Sequence, residues 1–209
     1  LANQTFALTN WKNRYDRNVV GMLGAPFLEQ FTVEIDYDAQ QLTLRDPQPY
    51  RYSGKGAVLP LDFSDGLPTA RLGFTVGASD PFAAKLHIDT GASQTLILNP
   101  NCVETYNLLA STEGMMKVQA GSMSGGVTYY MSRAQSVQLG RFTLSEMIAN
   151  YAPKGGLKVN PGTDGVLGNG VLKRFKVEMD YARKRMILEP SELYAVPFDY
   201  EMTGLILGA

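Results

Sequence analysis

Asp89-Thr90-Gly91-Ala92-Ser93 is the segment of this chain whose residue types and order could do chemistry. It follows the apolar run Leu86-His87-Ile88 and precedes Thr95-Leu96-Ile97-Leu98, which places it on a loop between two strands. A carboxylate at a strand end is fixed by the sheet yet faces a cleft. Gly91 has no Cβ and lets backbone N–H groups approach that carboxylate. Thr90 can hydrogen-bond across to a partner loop, and Ala92 is too small to crowd the site. Hydrolysis by water needs a second carboxylate, because two that share a proton keep one as base and the other as acid at the same pH. The sequence holds one Asp-Thr-Gly string. Taken alone, that string also reads as a turn aspartate with its usual glycine.

Other candidates carry less. His87 lies two residues from Asp89 on one strand face, but a lone strand histidine is usually structural and supports no Ser-His-Asp arrangement. Cys102, beside the turn Asn99-Pro100-Asn101, reads as a small packed residue. A single cysteine and a single histidine exclude an internal disulfide and remove cysteine- or histidine-rich zinc sites, so neither metal nor cofactor is expected. Asp36, Asp164 and Asp180 read as turn or cap residues. The stretch Gly165-Val166-Leu167-Gly168-Asn169-Gly170 lacks the phosphate-loop pattern.

Composition narrows the class. The 209 residues are 44% hydrophobic and 19% charged, as in an ordinary globular protein. The formal charge of −1 gives no case for nucleic acid. No apolar stretch approaches the roughly 20 residues of a membrane span. The chain starts at Leu1 without a secretory pattern, as a processed or trimmed product would.

The elements that must position Asp89 come with a repeat. Residues 21–37 align without a gap with 165–181, the offset being 144, the distance from Gly21 to Gly165. Matched pairs include Leu23 with Leu167, Gly24 with Gly168, Phe31 with Phe175, Glu34 with Glu178, Asp36 with Asp180 and Leu44 with Leu188. Each copy predicts a short helical turn and then a hairpin, with Phe31, Val33, Ile35 and Tyr37 alternating on one face of the first. Further strands are expected at 57–61, 69–76, 85–88, 95–98, 126–132 and 134–139, and a helix over 102–109 with Asn101 as its N-cap. The glycine-rich run 121–126 suits a mobile loop or a surface turn. Short strands with Gly and Pro punctuation predict a mainly β, closed-barrel fold.

Gln48 to Gly56 is rich in turn formers and marks the expected boundary. Residues 1–50 then form the C-terminal half of a first lobe, 51–197 a complete second lobe, and 198–209 a tail that faintly resembles the first strand of a PDZ module. Position 89 has no counterpart 144 residues earlier, so the first lobe is expected to lack its N-terminal half.

Apolar-Asp-Thr-Gly-Ala-Ser followed by Val166-Leu167-Gly168, with the closing run from Arg174 to Leu188, resembles the retropepsin and pepsin clan of aspartic proteases. In style it is similar to bacterial retropepsin-like proteins with two lobes per chain. The resemblance implies an endopeptidase in which Asp89 is catalytic. Thr90, Gly91, Ala92 and Ser93 support its loop, and Val166, Leu167 and Gly168 pack beneath it, with Met22-Leu23-Gly24 as their counterpart. It implies a polypeptide substrate and a second Asp from an absent N-terminal half lobe or a homodimer partner. A catalytically silent protease-fold module for peptide binding or dimerisation is the alternative. Two-lobed bacterial members suggest a periplasmic or secreted location.

Overall fold

The computed structural model describes residues 23–64, 66–122 and 125–199. In chain order the elements are α1 (Ala25–Leu28), β1 (Thr32–Asp36), β2 (Gln41–Arg45), β3 (Ala57–Pro60), β4 (Thr69–Thr75), β5 (Phe82–Ile88) and β6 (Leu96–Leu98). Then come α2 (Pro100–Thr105), α3 (Leu108–Ser111), β7 (Met116–Ser122), β8 (Gly125–Leu139), β9 (Phe142–Tyr151), β10 (Gly165–Leu167), α4 (Asn169–Leu172), β11 (Phe175–Asp180) and β12 (Arg185–Pro190). Met22, the rest of 1–21 and the tail from 200 lie outside the described residues, as do the tip of the 121–126 loop at 123–124 and most of the PDZ-like reading.

Six strands in the order β4-β5-β10-β6-β9-β8 close on themselves because β8 also pairs with β4, while β7 continues beyond β8 as a hairpin. The protein is therefore mainly β and built around a closed barrel. Closure leaves the barrel no free edge. Alternation puts Phe82, Ala84, Leu86 and Ile88 of β5 into the core, where Leu72, Leu96, Leu98, Met147, Tyr151 and Leu167 join them.

The remaining five strands form a second sheet in the order β2-β1-β11-β12-β3. Its inner face, with Val33, Leu59, Val177, Met179, Met186 and Leu188, continues the same core. Its outer face is polar and is crossed by residues 46–56, held down by Tyr50 Oη donating to Glu178 and Arg183 donating to the Pro47 and Tyr50 carbonyls. The sheet thus joins strands from both sides of the turn-rich 48–56 segment.

Three local expectations differ from what forms. The helix begins at Pro100 after Asn99 and stops before Asn107, whose φ of 52° breaks it from α3. Asn101 does not cap it; its side-chain amide donates to Asp164 Oδ1 at 3.0 Å. The strands expected at 126–132 and 134–139 are one strand, β8, because Arg133 stays in register opposite Ile148. Strand β9 was not anticipated: Glu146 at φ 54° interrupts its alternation, and neither it nor Gln135 appears in the β8–β9 register.

Candidate active site

Asp89 directly follows β5, and its backbone N–H donates to the Leu167 carbonyl at 3.0 Å. Its Oδ1 accepts the Gly91 N–H at 2.8 Å, so the glycine fixes the carboxylate's orientation. The side chain keeps 33% of its surface open to solvent. Gly91 and Ser93 are exposed, while Thr90 and Ala92 are half-buried.

Strand β10 wedges between β5 and β6, parallel to the first and antiparallel to the second. It continues into α4 directly beneath the loop. Asn169 N–H donates to the Ala92 carbonyl at 2.8 Å, Gly168 N–H to Thr95 at 3.1 Å and Gly170 N–H to Gln94 at 3.1 Å. A Cβ on Gly168 would collide with the Gln94 carbonyl first and meet the Ala92 carbonyl at 2.8 Å, so only glycine allows this approach. Val166, Leu167 and Gly168 are all buried there.

Two supporting residues were not anticipated. Asn169 Nδ2 donates to the Thr90 carbonyl at 2.5 Å, and its Oδ1 accepts the Tyr37 hydroxyl at 2.7 Å. Tyr37, just past β1, is thereby linked to the Asp89 loop through one side chain. Burial pushes its phenol up to about 12, so it stays a donor at any ordinary pH. The partners are 132 residues apart, and the clue in the sequence was only that Tyr37 recurs as Tyr181.

His87 Nδ1 lies 4.0 Å from Asp89 Oδ2, too far for a hydrogen bond, and pairs with the Asn160 side-chain amide. Burial lowers its pKa, with the Asp89 charge opposing, so the ring is neutral at pH 7. With the amide as donor, Nδ1 accepts and the ring proton sits on Nε2. His87, Val166 and Ile97 are register partners across β5, β10 and β6 and share one face. On that face Ile97 packs with Tyr129, Val118 and Val127, so the β7–β8 hairpin lies against the side of the barrel that carries His87.

The other carboxylates are structural. Asp36 and Asp180 accept backbone N–H groups within their turns, and Asp180 also meets Arg183 and Arg185. Asp164 accepts Lys85 N–H and the Asn101 amide. Cys102 is buried, which pushes its thiol up to about 12. Among the described residues no three His, Cys, Asp or Glu side chains converge as a metal set, and no helix is long and apolar enough to cross a membrane.

Residues 75–171 match the aspartyl protease family. That span contains the Asp89 loop and β10. Among solved structures the chain is similar to a retropepsin-like aspartic protease from Rickettsia conorii, at 17% identity and a TM-score of 0.44, covering 65% of this chain and 100% of that one. No curated protein matches.

Proposed function

We propose that this chain is the Asp89-bearing part of an aspartic endopeptidase. The observation that carries this is the Asp89 loop itself: a half-open carboxylate held by the Gly91 N–H, on a loop tied to β10 and α4 from beneath. Such a group can orient a water and take its proton, but a second carboxylate must carry a proton for the leaving amine. In the reaction, water oxygen bonds the scissile carbonyl carbon as one carboxylate accepts its proton. The C–N bond then breaks as the other carboxylate protonates nitrogen.

The second carboxylate comes from a companion Asp-Thr-Gly lobe, supplied by a segment upstream of Leu1 or by another chain. Its seat is the exposed apolar face of the β1–β2 hairpin, where Leu23, Leu42 and Leu44 stand open. The companion loop then faces Asp89 across the cleft, and Thr90 bonds to its counterpart. On this reading residues 51–197 act as one lobe and 1–50 belong with the companion.

The single Asp-Thr-Gly string favours a second reading, a silent protease-fold module that binds peptide or dimerises. Cleavage of an unfolded protein from acid to neutral pH, over a series of enzyme concentrations, separates the two. Cleavage that is lost in Asp89→Asn supports the enzyme, and a steeper-than-linear dependence on concentration identifies a second copy as the companion. If cleavage is absent even after the upstream segment is added back, the binding module stands instead.

A further inference from the structure

The outer face of the five-stranded sheet and the segment crossing it enclose a cavity of about 250 Å³. Its floor carries Glu34, Glu178 and Glu189, and the rings of Tyr50 and Tyr52 wall it. Two of the three carboxylates are engaged. Glu34 Oε2 accepts Arg45 at 3.1 Å. Glu189 accepts the Tyr52 hydroxyl at 2.5 Å and lies 3.9 Å from Lys176 Nζ.

Glu178 differs. It is only 4% exposed, its Oε2 accepts the Tyr50 hydroxyl at 2.5 Å, and its Oε1 has no partner. Directly across the strand pair stands Glu34, a second acid. A buried carboxylate oxygen without a donor is costly unless something positive reaches it. None of the nearby cations bonds it: Lys176 is drawn to Asp36 and Glu189, each at 3.9 Å, Arg45 donates to Glu34, and Arg51 donates to the Gln48 and Tyr50 carbonyls.

We propose that this cavity binds a primary ammonium group on a short alkyl stem. The ammonium donates to Glu178 Oε1 beside Glu34, and the stem lies against Ile187 and the Tyr52 ring, whose face favours a cation, while the Tyr50 ring already carries Arg45 at 5.2 Å. A metal ion is the poorer fit, since no three ligating side chains converge here. A guanidinium is poorer too, because its planar fork wants paired free acceptors, whereas an ammonium needs only one at a time. This reading does not depend on hydrolysis at Asp89.

The test is an NMR titration of the full chain, ¹⁵N-labelled, with n-butylammonium, N-acetyl-lysine N-methylamide and, as control, butyrate. The expected result is saturable shifts at Tyr52, Ser53, Gly54 and Lys176 with a Kd near ~1–10 mM. Glu178→Gln should weaken binding by about tenfold or more, and Glu34→Gln by about threefold, which carries the test if the first variant fails to fold. Binding of the lysine derivative alone identifies a polypeptide side chain as the ligand, and binding of butylammonium alone a free amine. No saturable shift from either probe up to ~100 mM, equal affinity in the folded variants, or equal shifts from butyrate would overturn the proposal.

Discussion

The two hairpins, β1–β2 and β11–β12, share a backbone and differ in what covers them. Gly24 and Gly168 precede their short helices at nearly the same angles, φ −98°, ψ −175° against φ −108°, ψ −170°. The turn residues Gln40 and Lys184, also 144 apart, both have positive φ, 54° and 50°. Asp36 and Asp180 each accept the N–H three residues on. Yet Leu23, Leu42 and Leu44 are 56%, 55% and 37% exposed, while Leu167, Met186 and Leu188 are at 0%. Local sequence fixes the turn and the cap; burial depends on whether the chain supplies a barrel to sit on top. In the second copy it does. In the first, the same apolar stripe stays exposed.

The widest gap should come from charging equivalent sites. Leu188→Asp should cost more than ~4 kcal/mol and leave the chain unfolded, whereas Leu44→Asp should change stability by only ~0.5 kcal/mol. Urea midpoints measure both; similar losses would mean the two faces are not so different. A smaller gap is expected at the glycines. Gly168→Ala would press on the Gln94 and Ala92 carbonyls and cost ~1–3 kcal/mol, while Gly24, whose nearest neighbour to an added Cβ is Pro26 at 3.7 Å, should accept alanine with a change of ~0.5 kcal/mol.

The tyrosines give a finer test. Tyr37→Phe removes the hydroxyl that holds Asn169 and should cost ~1 kcal/mol, with a roughly fivefold fall in cleavage from the loosened loop. Tyr181→Phe should leave cleavage unchanged, since residue 25, the counterpart of Asn169, is an alanine.

Glu34 and Glu178 face one another, and burial raises the pKa of Glu178 above the ordinary glutamate value of 4.5. Between that value and the raised one, the folded chain binds more protons than the unfolded chain, so stability should fall as pH rises through the window. Glu178→Gln should flatten that fall, as read from thermal midpoints between about pH 4 and 7. A slope unchanged in the variant would assign it to another group. The smallest effect concerns the turns themselves. Gln40→Gly and Lys184→Gly should each stabilise by ~0.5–1 kcal/mol and by the same amount, if the two turns carry equal strain.

How much of this was legible depended on whether the signal was local. The strands around Asp89 could be read from runs such as Leu86-His87-Ile88, and both hairpins from their matched alternation. Strand β9 could not, because the positive φ at Glu146 reverses its alternation midway and puts Ser145 and Glu146 side by side on exposed positions. The helix after Asn99 was placed two residues late because Asn101 resembles a cap, although Asp164 claims its amide. The Tyr37–Asn169–Thr90 chain was out of reach altogether, since its links exist only once distant segments meet.

The β1–β11 register has a consequence for assembly. Glu34 pairs with Glu178, its own counterpart at the offset of 144, so the two strands are related by a local twofold passing between them. A strand that accepts its own relative this way is shaped to accept itself. Were β1 removed, β11 would become an open edge, and pairing it with the β11 of a second molecule would set Glu178 against Glu178, like charges directly opposite that weigh against the pair.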